Sequence, residues 1–172
     1  GFYKTPDIHW DPDKRKGRPF YYFVYGAAVS EIIIDTLTGE SRVVGVDILH
    51  DVGRSINPAI DRGQIEGGFV QGLGWLSMEE LVYADNGTLM THSPATYKIP
   101  TCSDVPNNWN IAFYEGQGNL AETINRSKAV GEPPFMLAIS VFFAYSHALS
   151  CLQVKYPNLD SPATAERLYF AQ

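Results

Sequence analysis

The sequence predicts an α+β fold in one domain of 172 residues. Two runs of β-branched and aromatic residues indicate a long β-hairpin, a glycine-rich helix follows, and an apolar helix is predicted near the C-terminus. The composition is 45% hydrophobic, 13% aromatic and 19% charged, which is typical of a globular protein. A chain of this length buries a sizeable core without disulfides or a structural metal.

The hairpin is predicted within residues 20–52. Residues 1–19 contain three prolines and no periodicity, so they are predicted to be an irregular connecting arm. Aromatic and β-branched residues are dense over 20–35, a turn follows at 36–40, and apolar residues resume over 43–49. Because both apolar runs are nearly continuous, we expect the hairpin to be buried on both faces.

A helix is predicted to begin after Asn57 and to run to about Glu80. Asn57 is a good N-cap residue, and Pro58 suits the first helical position. The apolar stripe of this helix is Ile65, Phe69, Leu73 and Leu76. The remaining chain predicts a turn at 85–87 between two short strands, a loop over 94–106 and a strand over 109–114.

Five glycines interrupt the helical pattern, and each is disfavoured by roughly 1 kcal/mol relative to alanine. Gly63, Gly67 and Gly74 share one face, which Gln64 and Gln71 border. A bare face beside amide groups suits a polar heterocycle or a phosphate, whereas close packing against another helix or strand is the alternative. The remaining two glycines of the set are Gly68 and Gly72. The pattern matches neither a P-loop nor GxGxxG.

Glu132 is the candidate catalytic residue because it precedes Pro133 and Pro134 at the start of the last apolar helix, predicted from Phe135 to about Tyr156. A residue before proline favours an extended backbone, and neither proline has an N–H group to bind the carboxylate. We therefore expect an extended Glu132 with uncommitted oxygens, as a general base requires. The alternative is an ion pair with Lys128 or Arg126.

Charge and residue spacing argue against several classes of function. The net charge of −6 disfavours nucleic acid and anionic membranes as partners. The apolar run over 135–145 is shorter than a membrane span, and we predict a buried helix there. No ligand spacing links His9, His50, His92 and His147, so no protein-bound metal is predicted. Cys102 and Cys151 are expected to be reduced thiols in a cytoplasmic protein.

Several segments resemble the xanthine dehydrogenase and aldehyde oxidase family of molybdenum hydroxylases. They are GFYKTP at 1–6, PFYYFVYG at 19–26, DVGRSINPAI at 51–60, GQIEG at 63–67, FVQGLG at 69–74, YKIP at 97–100 and SKAVGEPP at 127–134. The resemblance extends from Gly1 to about His147, and the tail departs from the family pattern. It implies that residues 1–172 are the C-terminal portion of a molybdenum cofactor-binding domain.

The resemblance also implies roles for individual residues. Glu132 is similar to the glutamate that removes a proton from the hydroxide on the metal, whose oxygen then attacks an electron-poor carbon. Gln64 is similar to a residue beside the molybdopterin or its nucleotide. We include Gly67, Gly131 and Lys128 among the implied cofactor contacts, because glycines let a ligand approach closely and Lys128 is near Glu132 in the sequence.

The resemblance implies xanthine dehydrogenase activity, in which hypoxanthine is oxidised to xanthine and xanthine to urate with oxygen derived from water. The Gly-Glu-Pro-Pro motif favours a purine over an aldehyde, since aldehyde oxidases usually carry Gly-Glu-Ser there. The implied partners are the upstream part of the molybdenum subunit and domains or subunits with 2Fe-2S clusters and FAD, in a homo- or hetero-oligomer. We expect this chain alone to be inactive. The alternatives are an aldehyde or N-heterocycle hydroxylase and a non-catalytic assembly module.

Overall fold

The chain forms a small mixed sheet with helices packed on one face. This computed structural model describes residues 1–152 and 157–172. Its strands and helices are β1 (His9–Asp11), β2 (Lys16–Arg18), β3 (Gly26–Ile34), β4 (Ser41–His50), α1 (Pro58–Ser77), β5 (Asn108–Phe113), α2 (Pro133–Leu137), α3 (Ile139–Ser150) and α4 (Ala165–Phe170). This mixture of helix and strand confirms the predicted α+β fold class.

The main sheet has the strand order β3-β4-β5. Strands β3 and β4 form the predicted antiparallel hairpin, from Gly26 opposite His50 to Ile34 opposite Ser41. Strand β5, also predicted, pairs with β4 in the parallel direction. A parallel pair needs a long crossover, and here α1 and the following loops provide it. The loop predicted over 94–106 contains no helix or strand.

The first hairpin strand begins six residues later than predicted. Phe20 to Tyr25 lie outside the strand, and β3 starts at Gly26. The Phe23 carbonyl accepts a hydrogen bond from Lys128 Nζ at 3.0 Å, and the Tyr22 hydroxyl accepts one from the main chain of the same segment. These residues therefore bind the segment before α2 and do not extend the sheet.

The N-terminal arm was predicted to be irregular, but it contains a short hairpin. Strands β1 and β2 pair in antiparallel fashion within it. The Asp11 Oδ1 atom accepts hydrogen bonds from the N–H groups of Asp13 at 3.1 Å and Lys14 at 3.0 Å. A local side-chain turn thus forms a short hairpin in this proline-containing segment.

The core lies between one face of the sheet and helices α1 and α3. Its buried apolar residues are Val43, Val46, Ile48, Val52, Ile65, Phe69, Leu73, Leu76, Ile111, Val130, Ala138, Val141, Tyr145, Leu149, Ala163 and Leu168. Val29 and Ile33 remain 68% and 61% exposed on β3. The predicted burial of the hairpin on both faces is therefore wrong within the described chain, because the helices cover only one side.

Helix α1 begins as predicted and ends three residues early. The Asn57 side chain accepts hydrogen bonds from the N–H groups of Ala59 and Ile60, which caps the first turn. The helix ends at Ser77, and the Met78 backbone leaves the helical region with φ −145°. All four residues of the predicted apolar stripe are buried in the core.

The predicted C-terminal helix consists of two pieces, α2 and α3, that meet at Ala138. Only one face of α3 is buried, through Val141, Tyr145 and Leu149, whereas Phe143 is exposed, so the helix is half-buried rather than enclosed. The predicted end at Tyr156 lies outside the described residues. The 18 residues Pro133–Ser150 have the length and the mean hydropathy of 1.2 that also characterise membrane spans.

Two further features complete the chain. The predicted turn at Asp85–Gly87 is present, but the two strands expected beside it reduce to one isolated bridge between Tyr83 and Leu89. Helix α4, which was not predicted, buries Leu168 in the core. The Thr164 side chain caps this helix by accepting a hydrogen bond from a main-chain N–H group in the first turn.

Candidate active site at the start of helix α2

The segment that leads into Glu132 is attached to the end of β4. The Lys128 N–H group donates to the Val52 carbonyl at 2.9 Å. Ser127 forms an isolated antiparallel bridge with Gly53. These main-chain contacts fix the backbone four to five residues before the candidate base.

A buried ion pair reinforces this attachment. Lys128 Nζ lies 2.6 Å from Asp51 Oδ2, and the two side chains are only 8% and 14% exposed. The ammonium also donates to the Phe23 carbonyl and lies 5.1 Å from the centroid of the Tyr25 ring. Asp51 Oδ1 accepts a hydrogen bond from the Gly53 N–H at 2.9 Å. The Lys128 ammonium therefore connects the segment before α2 to the end of β4 and to the residues before β3.

The backbone of Glu132 differs from the predicted extended conformation. Its φ and ψ are −98° and −36°, in the helical region, although Pro133 follows. The Glu132 carbonyl accepts a hydrogen bond from the Phe135 N–H at 3.0 Å. The first turn of α2 thus begins at Glu132, and this hydrogen bond offsets the steric preference that proline imposes on the preceding residue.

The Glu132 carboxylate is exposed and makes no capping hydrogen bond, as the sequence predicts. The alternative ion pairs with Lys128 and Arg126 are not formed in the described part of the chain. Lys128 pairs with Asp51, and Arg126 lies 3.5 Å from Glu122. The carboxylate is therefore available to a ligand.

Helix α2 packs against α1 through Gly68 and Gly72, the two glycines that lie outside the face predicted from spacing. A side chain at Gly72 would collide with the Phe135 carbonyl and lie 2.7 Å from the Ala138 methyl carbon. One at Gly68 would lie 3.3 Å from Pro134. Close approach in this part of the helix is thus a helix-to-helix contact, as the packing alternative predicts.

The glycine face predicted from spacing is divided between two environments. A side chain at Gly63 or Gly67 would meet nothing within 4 Å, so both remain on an open surface. At Gly74 a side chain would overlap the Pro100 ring. Gly63 and Gly67 therefore leave room for a ligand, whereas Gly74 packs against the loop that follows the helix.

A cavity of about 890 Å³, the Glu132 cavity, lies where α1 faces the start of α2. Its lining residues are Gln71, Ala129, Gly131, Glu132, Pro133, Phe135 and Met136. Gln64 borders it, because the Gln64 Oε1 atom lies 3.8 Å from the position of a Cβ at Gly131. Apolar walls around one carboxylate and one amide suit a flat, polar organic ligand.

The structure brings together most of the predicted site residues. Glu132 and Gly131 line the cavity, Gln64 lies beside Gly131, and Gly67 lies on the same side of α1 with open space around it. Lys128 is directed to its partner carboxylate instead of the cavity. The roles of these residues in catalysis and cofactor binding stay predictions.

Two cavity residues were not among the cofactor contacts that the resemblance implied. Gln71 had been noted only as an amide that borders the glycine face, seven residues after Gln64. Phe135 contributes a wall, and its ring stacks on Trp75 with a centroid distance of 5.3 Å. No sequence pattern indicates the contact between Phe135 and Trp75, because it joins α2 to α1, which are far apart in the sequence.

A buried histidine lies close to α2. His50, at the end of β4, is 1% exposed, and its two ring nitrogens have no hydrogen-bond partner in the described chain. Burial lowers the pKa of His50, and the neighbouring Asp51 charge acts in the opposite direction. A side chain at Gly26 would lie 2.8 Å from Nδ1 and 3.3 Å from Leu137, so the ring packs between β3 and α2. The buried His50 ring therefore packs against α2 from the side of the sheet.

The chain is similar to two xanthine dehydrogenases over almost its whole length. It is 50% identical to the xanthine dehydrogenase of Oryza sativa subsp. japonica, and 99% of this chain is covered. It is 48% identical to the xanthine dehydrogenase/oxidase of Gallus gallus, with 98% covered. This chain spans 13% of the length of each relative. The similarity includes the tail, so the prediction that it ends near His147 is wrong.

Two solved oxidoreductase structures have the same fold as this chain. Quinoline 2-oxidoreductase from Pseudomonas putida 86 matches with a TM-score of 0.74 and 33% identity, over 83% of this chain and 18% of that chain. A Cu,Mo-CO dehydrogenase matches with a TM-score of 0.77 and 26% identity, over 86% of this chain and 18% of that chain. The family model described as the molybdopterin cofactor-binding domain matches residues 1–106. The chain therefore belongs to the molybdopterin cofactor-binding domain family.

Proposed function

We propose that this chain is the C-terminal portion of the cofactor-binding domain of a xanthine dehydrogenase, in which Glu132 is the general base. The enzyme oxidises hypoxanthine to xanthine and xanthine to urate, with oxygen derived from water. The observation that carries this proposal is the exposed Glu132 carboxylate, which has no hydrogen-bond partner among the described residues and lies on an apolar-walled cavity in a member of this family. Similarity to xanthine dehydrogenases supports the purine substrate.

The residues beside Glu132 fit a molybdopterin-type cofactor. Gly63 and Gly67 leave open space along α1, and Gln64 offers both hydrogen-bond donors and an acceptor next to Gly131. A pterin has amide-like edges that such a side chain can bind. We propose that Gln64, Gly67 and Gly131 contact the cofactor. Lys128 contributes through its ion pair with Asp51, which positions the segment that leads into Gly131 and Glu132.

When bound, the cofactor supplies the centre that takes two electrons from the substrate. This chain contributes the proton acceptor. Glu132 lies at the N-terminus of α2, where its backbone is fixed by a hydrogen bond in the first turn. A carboxylate without competing hydrogen bonds can accept a proton at Oε1 or Oε2, and the walls from Pro133, Phe135 and Met136 reduce the water around it.

The remaining parts of the proposal concern the whole enzyme. Electrons would leave through 2Fe-2S clusters and FAD on partner domains or subunits, in a homo- or hetero-oligomer located in the cytoplasm. The relatives are about eight times as long as this chain, since it spans 13% of them. Because one base and one helix face do not form a complete site, we expect the chain alone neither to bind the cofactor nor to hydroxylate a substrate.

A second candidate function is hydroxylation of another N-heterocycle. The likeness to quinoline 2-oxidoreductase, at 33% identity and a TM-score of 0.74, favours this candidate over aldehyde oxidation. Comparison of kcat/KM for hypoxanthine, xanthine, quinoline and benzaldehyde distinguishes the candidates. A higher value for quinoline than for either purine would contradict the purine assignment.

The proposal is tested by Glu132→Gln in the complete enzyme. We expect kcat for xanthine to fall by at least ~10²-fold with unchanged molybdenum content, because the amide cannot accept the proton. Glu122→Gln is the control, since Glu122 is exposed and lies outside the cavity. Near-wild-type turnover of the Glu132→Gln enzyme at full molybdenum content would disprove the role of Glu132. Absence of molybdenum from the wild-type enzyme, expressed with molybdate, would instead support a non-catalytic assembly module.

A further inference from the structure

We infer that Gln71 recognises the polar edge of a flat heterocycle bound in the Glu132 cavity. The ligand class is a ring that presents a hydrogen-bond donor and an acceptor side by side, as a cyclic amide or amidine does. The inference rests on the proposed function, and it adds a recognition residue to a site whose other assignments concern the base and the cofactor.

The Glu132 cavity contains few polar side chains. Of its seven lining residues, only Gln71 and Glu132 carry polar side-chain groups, and the others contribute apolar or main-chain surface. Glu132, when ionised as a general base, only accepts hydrogen bonds. Gln71 is therefore the side chain within this cavity wall that can both donate to a ligand and accept from it.

The geometry of α1 places Gln71 on the ligand side of the helix. Gln64 and Gln71 are seven residues apart, which in an α-helix gives a separation of roughly 10 Å along the axis and almost the same direction. Between them Gly67 has no side chain and open space around it. At Gly67, between the two amides, α1 therefore presents no side chain that would obstruct a flat ring.

The Gln71 amide is not used by the fold. Gln71 is exposed, and its side chain makes no hydrogen bond within the described chain. By contrast, Glu79, two residues after the end of this helix, accepts a hydrogen bond from the Tyr97 hydroxyl at 2.6 Å. An amide with no structural role on a cavity wall is available for a ligand, and the loss of a hydrogen bond to it changes affinity more than folding.

Two ligands have the required edge, the purine substrate and the pterin of the cofactor. The experiment is Gln71→Leu in the complete enzyme, with Gln117→Leu as the control because Gln117 is exposed in a loop outside the cavity. The measurements are KM and kcat for xanthine and benzaldehyde, together with molybdenum and pterin per subunit. Gln71→Asn, which shortens the side chain by one methylene, is measured in parallel.

Recognition of the substrate predicts that KM for xanthine rises at least about tenfold in Gln71→Leu, with kcat, benzaldehyde kinetics and cofactor content little changed. Recognition of the pterin predicts that cofactor content falls to less than about half, with equal loss of activity toward both substrates. Either result supports the role of Gln71. Wild-type KM and cofactor content, or the same changes in Gln117→Leu, would overturn it. A wild-type enzyme without purine turnover would overturn the proposed function, and pterin content would still decide the role of Gln71.

Discussion

Removal of the Lys128 charge separates a structural role for this residue from a role in cofactor binding. In Lys128→Met, the Asp51 carboxylate stays 14% exposed without its partner at 2.6 Å, and the Phe23 carbonyl loses its donor at 3.0 Å. Breaking a buried ion pair by removal of one partner destabilises a protein by about 3–5 kcal/mol. We therefore expect a loss of this size in the complete enzyme.

The assay is hydrogen exchange of the Lys128 amide, which donates to the Val52 carbonyl at 2.9 Å. Since 1.36 kcal/mol corresponds to a factor of ten, protection should fall by roughly two to four powers of ten. The double variant Asp51→Asn, Lys128→Met should recover much of the protection. The asparagine carries no charge, and its oxygen still accepts the hydrogen bond from the Gly53 N–H.

A direct role of Lys128 in cofactor binding predicts the opposite pattern. Lys128→Met would then lower molybdenum content with little change in amide protection, and the second substitution at Asp51 would restore nothing. Unchanged protection in Lys128→Met would refute the structural reasoning. Rescue of both protection and molybdenum content by the double variant would show that Lys128 acts through the position of the segment before Glu132.

Three further results are expected. Gly72→Val should destabilise the α1–α2 contact by at least about 2 kcal/mol, measured by urea denaturation, because its side chain would meet the Phe135 carbonyl. Gly67→Val should keep stability within about 1 kcal/mol and lower molybdenum content, since open space surrounds this position. Burial lowers the pKa of His50 from 6.5, so the unfolded state binds more protons than the folded state as the pH falls below that value. The free energy of opening β4, measured by amide protection, should therefore decline by up to about 1.4 kcal/mol per pH unit. His50→Leu should reduce this dependence, whereas exposed His92→Gln should not.

Local signals in the sequence determined the helix start, the hairpin turn and the candidate base. Asn57 caps α1 and Pro58 follows it, as predicted, because capping depends on neighbours within one helical turn. Asp35 and Glu40 close the turn between β3 and β4 through the Asp35 N–H bond to the Glu40 carbonyl at 2.8 Å. The Glu132 carboxylate makes no capping hydrogen bond because the prolines after it lack N–H groups.

Tertiary structure decided the features that depend on distant segments. The parallel pairing of β5 with β4 joins residues more than 60 positions apart, and no local pattern indicates a parallel partner. The helical backbone at Glu132 was missed because the first turn of α2 outweighs the effect of Pro133. The sequence placed five glycines in the predicted helix, but it could not show that Gly72 packs against α2 while Gly67 faces open space.

The candidate site shows the same division between sequence and structure. The sequence motifs were sufficient to indicate a molybdopterin cofactor-binding domain, and they named Glu132 and Gln64 as candidate site residues. The partner of Lys128 could not be predicted, because Asp51 is 77 residues away and a single charged residue offers many possible partners. Nor could the sequence show that Gln71 lines the Glu132 cavity. A residue's type and spacing are local properties, whereas its partner and its cavity depend on how the elements pack.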